Sequence, residues 1–169
     1  QAIDAAPGWQ RVCSAIGRRG AAPSPGAAPA MTEGTAVDRA TFYQRFESLG
    51  VAFGPGFRGV QVLAAGDGWA RGELALPPEL AHEAPRFGLH PALLDAALQL
   101  CAAAASGGSA GLPTQLWVPM GVERFALWRP GLARLRASAT LRAEPAPGAE
   151  AFAADLRLDD EAGEPPATA

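Results

Sequence analysis

The sequence predicts an α+β fold in which a curled antiparallel sheet wraps around one long central helix. Residues 87–100, "FGLHPALLDAALQL", indicate a helix that is apolar on nearly every side, and such a helix belongs inside a protein. Several other stretches alternate apolar and polar residues, as strands with one buried face do. An apolar helix must be buried by other elements, and a sheet with one apolar face must bury that face. Packing the sheet around the helix buries both surfaces.

The composition is that of one globular domain. Of the 169 residues, 49% are hydrophobic and 18% are charged, which favours a packed core over disorder. The net charge is −3 and the basic residues are scattered, so no nucleic-acid partner is expected. The two cysteines lie far apart, which predicts no disulfide framework and fits a reducing cytoplasm. No apolar run reaches the ~18 residues of a membrane span, so no membrane partner is expected.

The chain divides into a short N-terminal piece, a linker and a main body. Residues 1–16 include a candidate strand, "WQRVCSAI", and residues 17–34 are rich in Pro, Gly and Ala, as linkers are. Residues 35–169 form the main body. The first residues contain no initiator Met and no signal-like apolar segment, so we expect the chain to be cut from a longer polypeptide.

An amphipathic helix opens the main body. Phe42, Phe46 and Leu49 recur at the spacing of one helical face. Thr35 or Asp38 is available as the N-cap. We therefore expect a surface helix with this face against the core.

Strands follow the first helix. The sequence "GDG" at 66–68 predicts a hairpin turn. In the second strand of this hairpin one face carries Ala70, Gly72, Leu74 and Leu76, and the other carries Trp69, Arg71 and Glu73. Residues 132–142 and 151–159 alternate cleanly and predict two more strands. Residues 114–127, "TQLWVPMGVERFAL", are interpreted as a further strand.

The central helix carries the candidate catalytic residues. Pro91 suits the first helical position, which makes His90 the expected N-cap. Asp95 and Gln99 are four residues apart and share one face, where they form a polar window in an apolar interior. Burial disfavours a charged carboxylate, so Asp95 can hold a proton as a general acid. The alternative is that Asp95 pairs with an arginine or caps a loop.

Other polar features have simpler interpretations. Residues 53–59, "FGPGFRG", form a tight turn that either just enters a strand or presents the amides of Gly54 and Gly56 to a polar ligand. A cap is favoured for His90 over proton transfer. Neither His82 nor His90 has the partner spacing of a metal site, so no metal is expected.

Two of these motifs resemble the dehydratase domains of modular type I polyketide synthases. "GVAFGPGFRGV" at 50–60 is similar to the family's aromatic-Gly-Pro-x-Phe turn, and "HPALLDAALQL" at 90–100 is similar to its His-Pro-x-x-Leu-Asp-x-x-x-Gln motif. The resemblance runs from about Trp9 to Asp159. Such domains are double hotdogs, and each half is a curled antiparallel sheet around a central helix. The resemblance implies that residues 1–16 end the first hotdog and that residues 35–169 are the second.

The resemblance also implies a reaction. In the family, a histidine of the first hotdog removes the α-proton of a β-hydroxyacyl thioester, and an aspartate of the second helps to expel the hydroxyl as water. Asp95 is then the catalytic aspartate and Gln99 its catalytic neighbour. The family's His-x-x-x-Gly-x-x-x-x-Pro motif does not occur in this sequence. Substrate contacts are expected at Phe53, Gly54, Pro55, Phe57, His90, Pro91 and Leu94.

The implied enzyme is a hydro-lyase that forms an enoyl chain on an acyl carrier protein. It would need no cofactor beyond the carrier's phosphopantetheine arm. The expected partners are the carrier protein, the N-terminal hotdog, neighbouring synthase domains and a second copy in a homodimer. The alternatives are a double-bond isomerase or oxa-cyclase on the same fold, or a degenerate scaffold that only binds acyl chains. The chain alone is expected to be inactive and cytoplasmic.

Overall fold

The computed structural model describes residues 34–106, 111–127, 129–146, 149–160 and 167–168. Within these ranges it contains seven strands in one sheet and three α-helices. The strand predicted within residues 1–16 lies outside the described residues, as does the linker apart from Gly34.

The sheet is antiparallel throughout its described pairs. Its strands are β1 (Thr35–Ala36), β2 (Val60–Gly66), β3 (Trp69–Ala75), β4 (Ala126–Leu127), β5 (Arg134–Leu141), β6 (Ala154–Asp159) and β7 (Ala167–Thr168). They are hydrogen-bonded in the order β1-β2-β3-β5-β6-β7-β4. The predicted hairpin is confirmed, with the turn Asp67–Gly68 between β2 and β3. Gly68 has a φ of 71°, which favours glycine.

The first helix, α1 (Arg39–Ser48), is confirmed with Asp38 as its N-cap. An oxygen of the Asp38 carboxylate accepts a hydrogen bond from the backbone N–H of Thr41 at 2.8 Å, which satisfies one of the unpaired donors of the first turn. Thr35, the other candidate cap, lies in β1 instead. The helix buries Phe42 and Phe46 as expected, and it also buries Tyr43.

The central helix, α3 (Pro91–Ala104), packs against β2, β3, β5 and β6. It follows a short helix, α2 (Pro78–Ala81). Its buried residues are Ala92, Leu93, Ala96, Ala97, Gln99, Leu100, Ala102, Ala103 and Ala104. Small residues allow a close approach, because a Cβ atom on Gly59 would lie 2.8 Å from the Cβ atom of Ala96. The predicted helix wrapped by a curled sheet is therefore confirmed.

The alternation of the strands is also confirmed. Buried apolar residues recur at every second position in β5 (Leu135, Ala137 and Ala139) and β6 (Leu156 and Leu158), and in β3 the buried Ala70 and Leu74 share a face with Gly72 between them. On the outer face of β3, Trp69 is only 7% exposed. Its ring lies against Gly34 and Gly66, which have no side chains to displace it, and beneath the guanidinium of Arg71.

The strand predicted at residues 114–127 is wrong for most of its length. Only Ala126 and Leu127 pair, as β4 with β7. The preceding segment has large exposed apolar side chains, namely Leu116, Val118, Met120, Val122 and Phe125. Pro119 lacks the N–H that a strand interior requires, and residues 116–125 are not assigned to any strand of the described sheet. Apolar alternation alone therefore did not produce a strand.

The longest described helix is α3, with 14 residues. It is shorter than a membrane span requires. None of the helices within the described ranges is long and apolar enough to cross a membrane.

Candidate active site

Asp95 and Gln99 lie one turn apart on α3 and are joined by a hydrogen bond. The Nε2 group of Gln99 donates to Oδ2 of Asp95 at 2.7 Å. It also donates to the carbonyl oxygen of Phe57 at 2.9 Å. Gln99 is buried, whereas Asp95 is half-buried. The structure thus brings the two predicted catalytic side chains together and connects them to the turn before β2.

A third side chain, Tyr43 of α1, completes this arrangement. Its hydroxyl donates to Oε1 of Gln99 at 3.1 Å and accepts from the backbone N–H of Val60 at 3.0 Å. Sequence reasoning missed Tyr43 because it considered only the Phe42–Phe46 face of α1. A usable signal existed, since Tyr43 is the single tyrosine of the chain and a tyrosine beside a buried helix face needs a partner for its hydroxyl.

The electrostatics of the site follow from burial. Burial raises the pKa of Asp95, and the hydrogen bond from Gln99 offsets part of this rise. Burial also raises the pKa of Tyr43 to about 12, so its hydroxyl keeps its proton at neutral pH. No ion pair within the described ranges involves Asp95. A half-buried carboxyl of this kind favours the protonated form more than a surface aspartate does.

The turn at residues 53–57 supports the site from one side. The ring of Phe53 packs edge-on against Tyr43 and Phe46, with ring centroids 6.0 and 5.1 Å apart. Gly54 and Pro55 are exposed, and the Phe57 side chain is 47% exposed. Phe53 therefore contributes to an aromatic cluster with α1, while Gly54, Pro55 and Phe57 are the accessible part of the turn.

His90 is confirmed as the N-cap of α3. Its Nδ1 atom accepts a hydrogen bond from the backbone N–H of Ala92 at 3.2 Å. Its ring packs edge-on against Phe87, 4.7 Å between centroids. Pro91 is the first helical residue and is exposed, and Leu94 is half-buried one residue before Asp95. The contacts observed for His90 are those of a structural cap.

No group of three or more metal-ligating side chains of the His, Cys, Asp or Glu type gathers among the residues that the structure describes. His82 is exposed at the C-terminal end of α2. In this region the Asp95 carboxyl is bonded to the Gln99 amide, and the Gln99 amide is bonded in turn to the Tyr43 hydroxyl.

Comparisons with known proteins identify the family. The family model described as "Polyketide synthase dehydratase N-terminal domain" matches residues 21–169. The pikromycin polyketide synthase component PikAII of Streptomyces venezuelae is 36% identical over 147 residues, covering 79% of this chain and 4% of that protein. The solved dehydratase domain from the CurK module of curacin polyketide synthase is 31% identical with a TM-score of 0.69. That match covers 79% of this chain and 45% of the CurK chain.

Other solved structures agree. A bifunctional dehydratase-cyclase domain of ambruticin biosynthesis is 33% identical with a TM-score of 0.65, covering 80% of this chain and 44% of that one. The CurK domain has also been solved as two inactive mutants, one with aspartate replaced by asparagine and one with histidine replaced by phenylalanine. The chain spans less than half the length of these solved domains. Its curled sheet and central helix are the hotdog fold, and the chain belongs to the polyketide synthase dehydratase family.

Proposed function

We propose that this chain supplies the proton-donating half of a domain that dehydrates β-hydroxyacyl chains on an acyl carrier protein. The observation that carries the proposal is the half-buried carboxyl of Asp95, held by Gln99 on an otherwise apolar helix. A carboxyl with a raised pKa holds a proton that it can transfer to a leaving hydroxyl. The inactive aspartate-to-asparagine mutant of the CurK domain supports an essential aspartate in a relative.

The reaction needs one acid and one base. A base removes the proton from Cα, the C–H electron pair forms the Cα=Cβ bond, and the Cβ–O bond breaks. The hydroxyl takes the proton of Asp95 and leaves as water. Within the described ranges His90 is occupied as a helix cap, so we assign the base to the other half of the domain. The inactive histidine-to-phenylalanine mutant of the CurK domain supports a histidine in that role.

We assign the chain to the second hotdog, with residues 35–169 forming that half. The description of the matching family model refers to an N-terminal domain. Our assignment depends instead on the Asp-x-x-x-Gln motif at residues 95–99, which the family carries in its second half. Residues 1–16 would then end the first hotdog, and residues 17–34 would join the two.

The proposed partners follow from the exposed surface and from the relatives. Five large apolar side chains between residues 116 and 125 are exposed, and a docked first half would remove such side chains from water. PikAII and the CurK module belong to polyketide synthases, which supports neighbouring domains as partners. We further propose that the carrier's phosphopantetheine arm presents the substrate without another cofactor, in a cytoplasmic homodimer. The turn residues Gly54, Pro55 and Phe57 and the helix residues Pro91 and Leu94 would contact the acyl thioester.

The test of the function is enoyl product formed from a pantetheine-linked β-hydroxyacyl substrate by the complete dehydratase domain that contains this chain. Asp95→Asn removes the transferable proton, and we expect turnover to fall on the order of 10²-fold or more. Asp67→Asn, in the exposed turn between β2 and β3, is the matched control and should keep full turnover. A folded Asp95→Asn domain with near-normal turnover would refute the acid role. A product with a shifted double bond would favour the isomerase alternative, and a cyclised product would favour the oxa-cyclase. Substrate that binds but does not react would favour the non-catalytic acyl-binding scaffold.

The half-domain assignment has its own test. The chain alone should be inactive and should associate, because its exposed apolar side chains lack a cover. Light scattering over a range of concentrations measures the association. A monomer that turns over substrate without an upstream half would contradict the assignment.

A further inference from the structure

A continuous chain of hydrogen bonds connects the backbone of β2 to Asp95. The N–H of Val60 donates to the Tyr43 hydroxyl, which leaves the hydroxyl proton for Oε1 of Gln99. The Nε2 group of Gln99 then points the other way, toward two acceptors. The reverse orientation of the amide would place its oxygen against the Phe57 carbonyl and the Asp95 carboxyl. The Tyr43 hydroxyl, as donor to Oε1, and the Phe57 carbonyl, as acceptor from Nε2, therefore set together which end of the amide meets Asp95.

This network uses the hydrogen-bonding capacity of Gln99 inside the protein. Both Nε2 hydrogens have protein acceptors and Oε1 accepts from Tyr43, so Gln99 has no N–H left to donate to a substrate hydroxyl. On Asp95, Oδ2 accepts from Gln99. Oδ1 has no hydrogen-bond partner among the described residues. The proton of the neutral acid therefore belongs on Oδ1.

Tyr43 is well suited to anchor the network because its ring is held on several sides. Phe42 and Phe53 pack edge-on against it, with centroids 5.5 and 6.0 Å away. The guanidinium groups of Arg39 and Arg58 each lie 5.6 Å from the ring centroid. Arg39 is itself fixed by backbone carbonyl oxygens. The ring thus has little freedom to carry its hydroxyl away from Gln99.

We propose that Tyr43 is a positioning residue that acts through Gln99 to present Oδ1 of Asp95, with its proton, to the substrate. The catalytic consequence rests on the proposed dehydration, whereas the control of Asp95 by Tyr43 does not. The two are therefore tested by separate measurements.

The first measurement is the titration of the Asp95 carboxyl, followed by infrared difference spectra of the complete domain and identified by its loss in Asp95→Asn. Tyr43→Phe removes the donor to Oε1 of Gln99, which loosens the amide and weakens its donation to Asp95, so the pKa of Asp95 should rise. Gln99→Met, which keeps the volume, should raise it at least as much. The charged groups beside the network, Arg39 and Arg58 with its partner Glu47, stay in place in both variants.

A double variant separates positioning from packing. If Tyr43 acts only through Gln99, then Tyr43→Phe adds no further rise in the Gln99→Met background. Phe46→Leu alters the same aromatic cluster and should leave the titration unchanged. Replacing Tyr43 by 3-fluorotyrosine, a stronger donor, should lower the pKa of Asp95 and covers the case in which Tyr43→Phe does not fold. An additive effect of the two substitutions, or no shift from either Tyr43 change, would overturn the proposal.

The second measurement is turnover. In Tyr43→Phe we expect kcat to fall on the order of tenfold while KM changes by less than about twofold, because orientation of the acid is lost and binding is not. The basic limb of the kcat profile should move to higher pH with the pKa of Asp95. A wild-type domain that forms no enoyl product would refute the proposed function and leave the titration result intact. A titration shift with unchanged kcat would refute the positioning role.

Discussion

The two faces of α3 are held by different kinds of interaction. On one face Leu93 and Leu100 are fully buried against the sheet, where contact is non-directional and depends on filled volume. On the other face Gln99 forms hydrogen bonds of defined geometry to Tyr43, to the Phe57 carbonyl and to Asp95. Damage to the first face should therefore appear as lost stability, and damage to the second as lost function in a folded protein.

The largest effect on stability is expected at Leu100. Its side chain is fully buried and covers Gly72 of β3, so Leu100→Ala leaves a cavity and should lower the free energy of unfolding by about 2–5 kcal/mol. Turnover per folded domain should be retained. Denaturant titration and an activity assay of the same sample measure both. Leu98→Ala, at a half-buried position of the same helix, is the control, and an equal loss there would contradict the volume argument.

A smaller effect that involves both faces is expected at Gly59. A Cβ at this position would lie 2.8 Å from the Cβ of Ala96, so Gly59→Ala must move the chain away from α3, at a cost of about 1–3 kcal/mol. The same movement would displace the nearby Phe57 carbonyl from Gln99, so turnover should fall as well. Gly54→Ala meets no atom within 4 Å and should leave the free energy of unfolding unchanged. Loss of stability with full turnover would show that the two faces are independent.

The smallest effect is the pH dependence of stability caused by Asp95. Since burial raises the pKa of Asp95 in the folded state, the folded protein binds this proton more tightly than the unfolded chain does. The contribution to stability is therefore complete below the unfolded pKa of an aspartate and is lost as the pH rises through the folded pKa. Asp95→Asn should melt higher than the wild type at neutral pH, and this advantage should shrink on acidification. Melting curves at several pH values measure it, and an advantage that grows toward acid pH would reverse the assigned sign.

The sequence by itself determined the elements whose causes are local. The spacing of Asp95 and Gln99 places them on one face of a helix because four residues make about one turn. His90 and Pro91 marked the start of α3 because a proline at the first helical position loses no hydrogen bond. The Asp67–Gly68 turn indicated the hairpin for an equally local reason, because such a turn needs a positive φ, which Gly68 adopts. Each depends on residues only a few positions apart.

Tertiary structure alone decided the rest, because it depends on contacts between distant parts of the chain. Tyr43 lies 56 residues from Gln99, and Phe57 lies 42 residues from it, so no local pattern relates them. The alternating apolar residues before β4 did not become a strand, because pairing needs a neighbouring strand that the alternation itself does not specify. The periodicity of a sequence indicates which face of a helix or strand is buried. Which residues of the rest of the chain contact that face depends on how the whole chain packs.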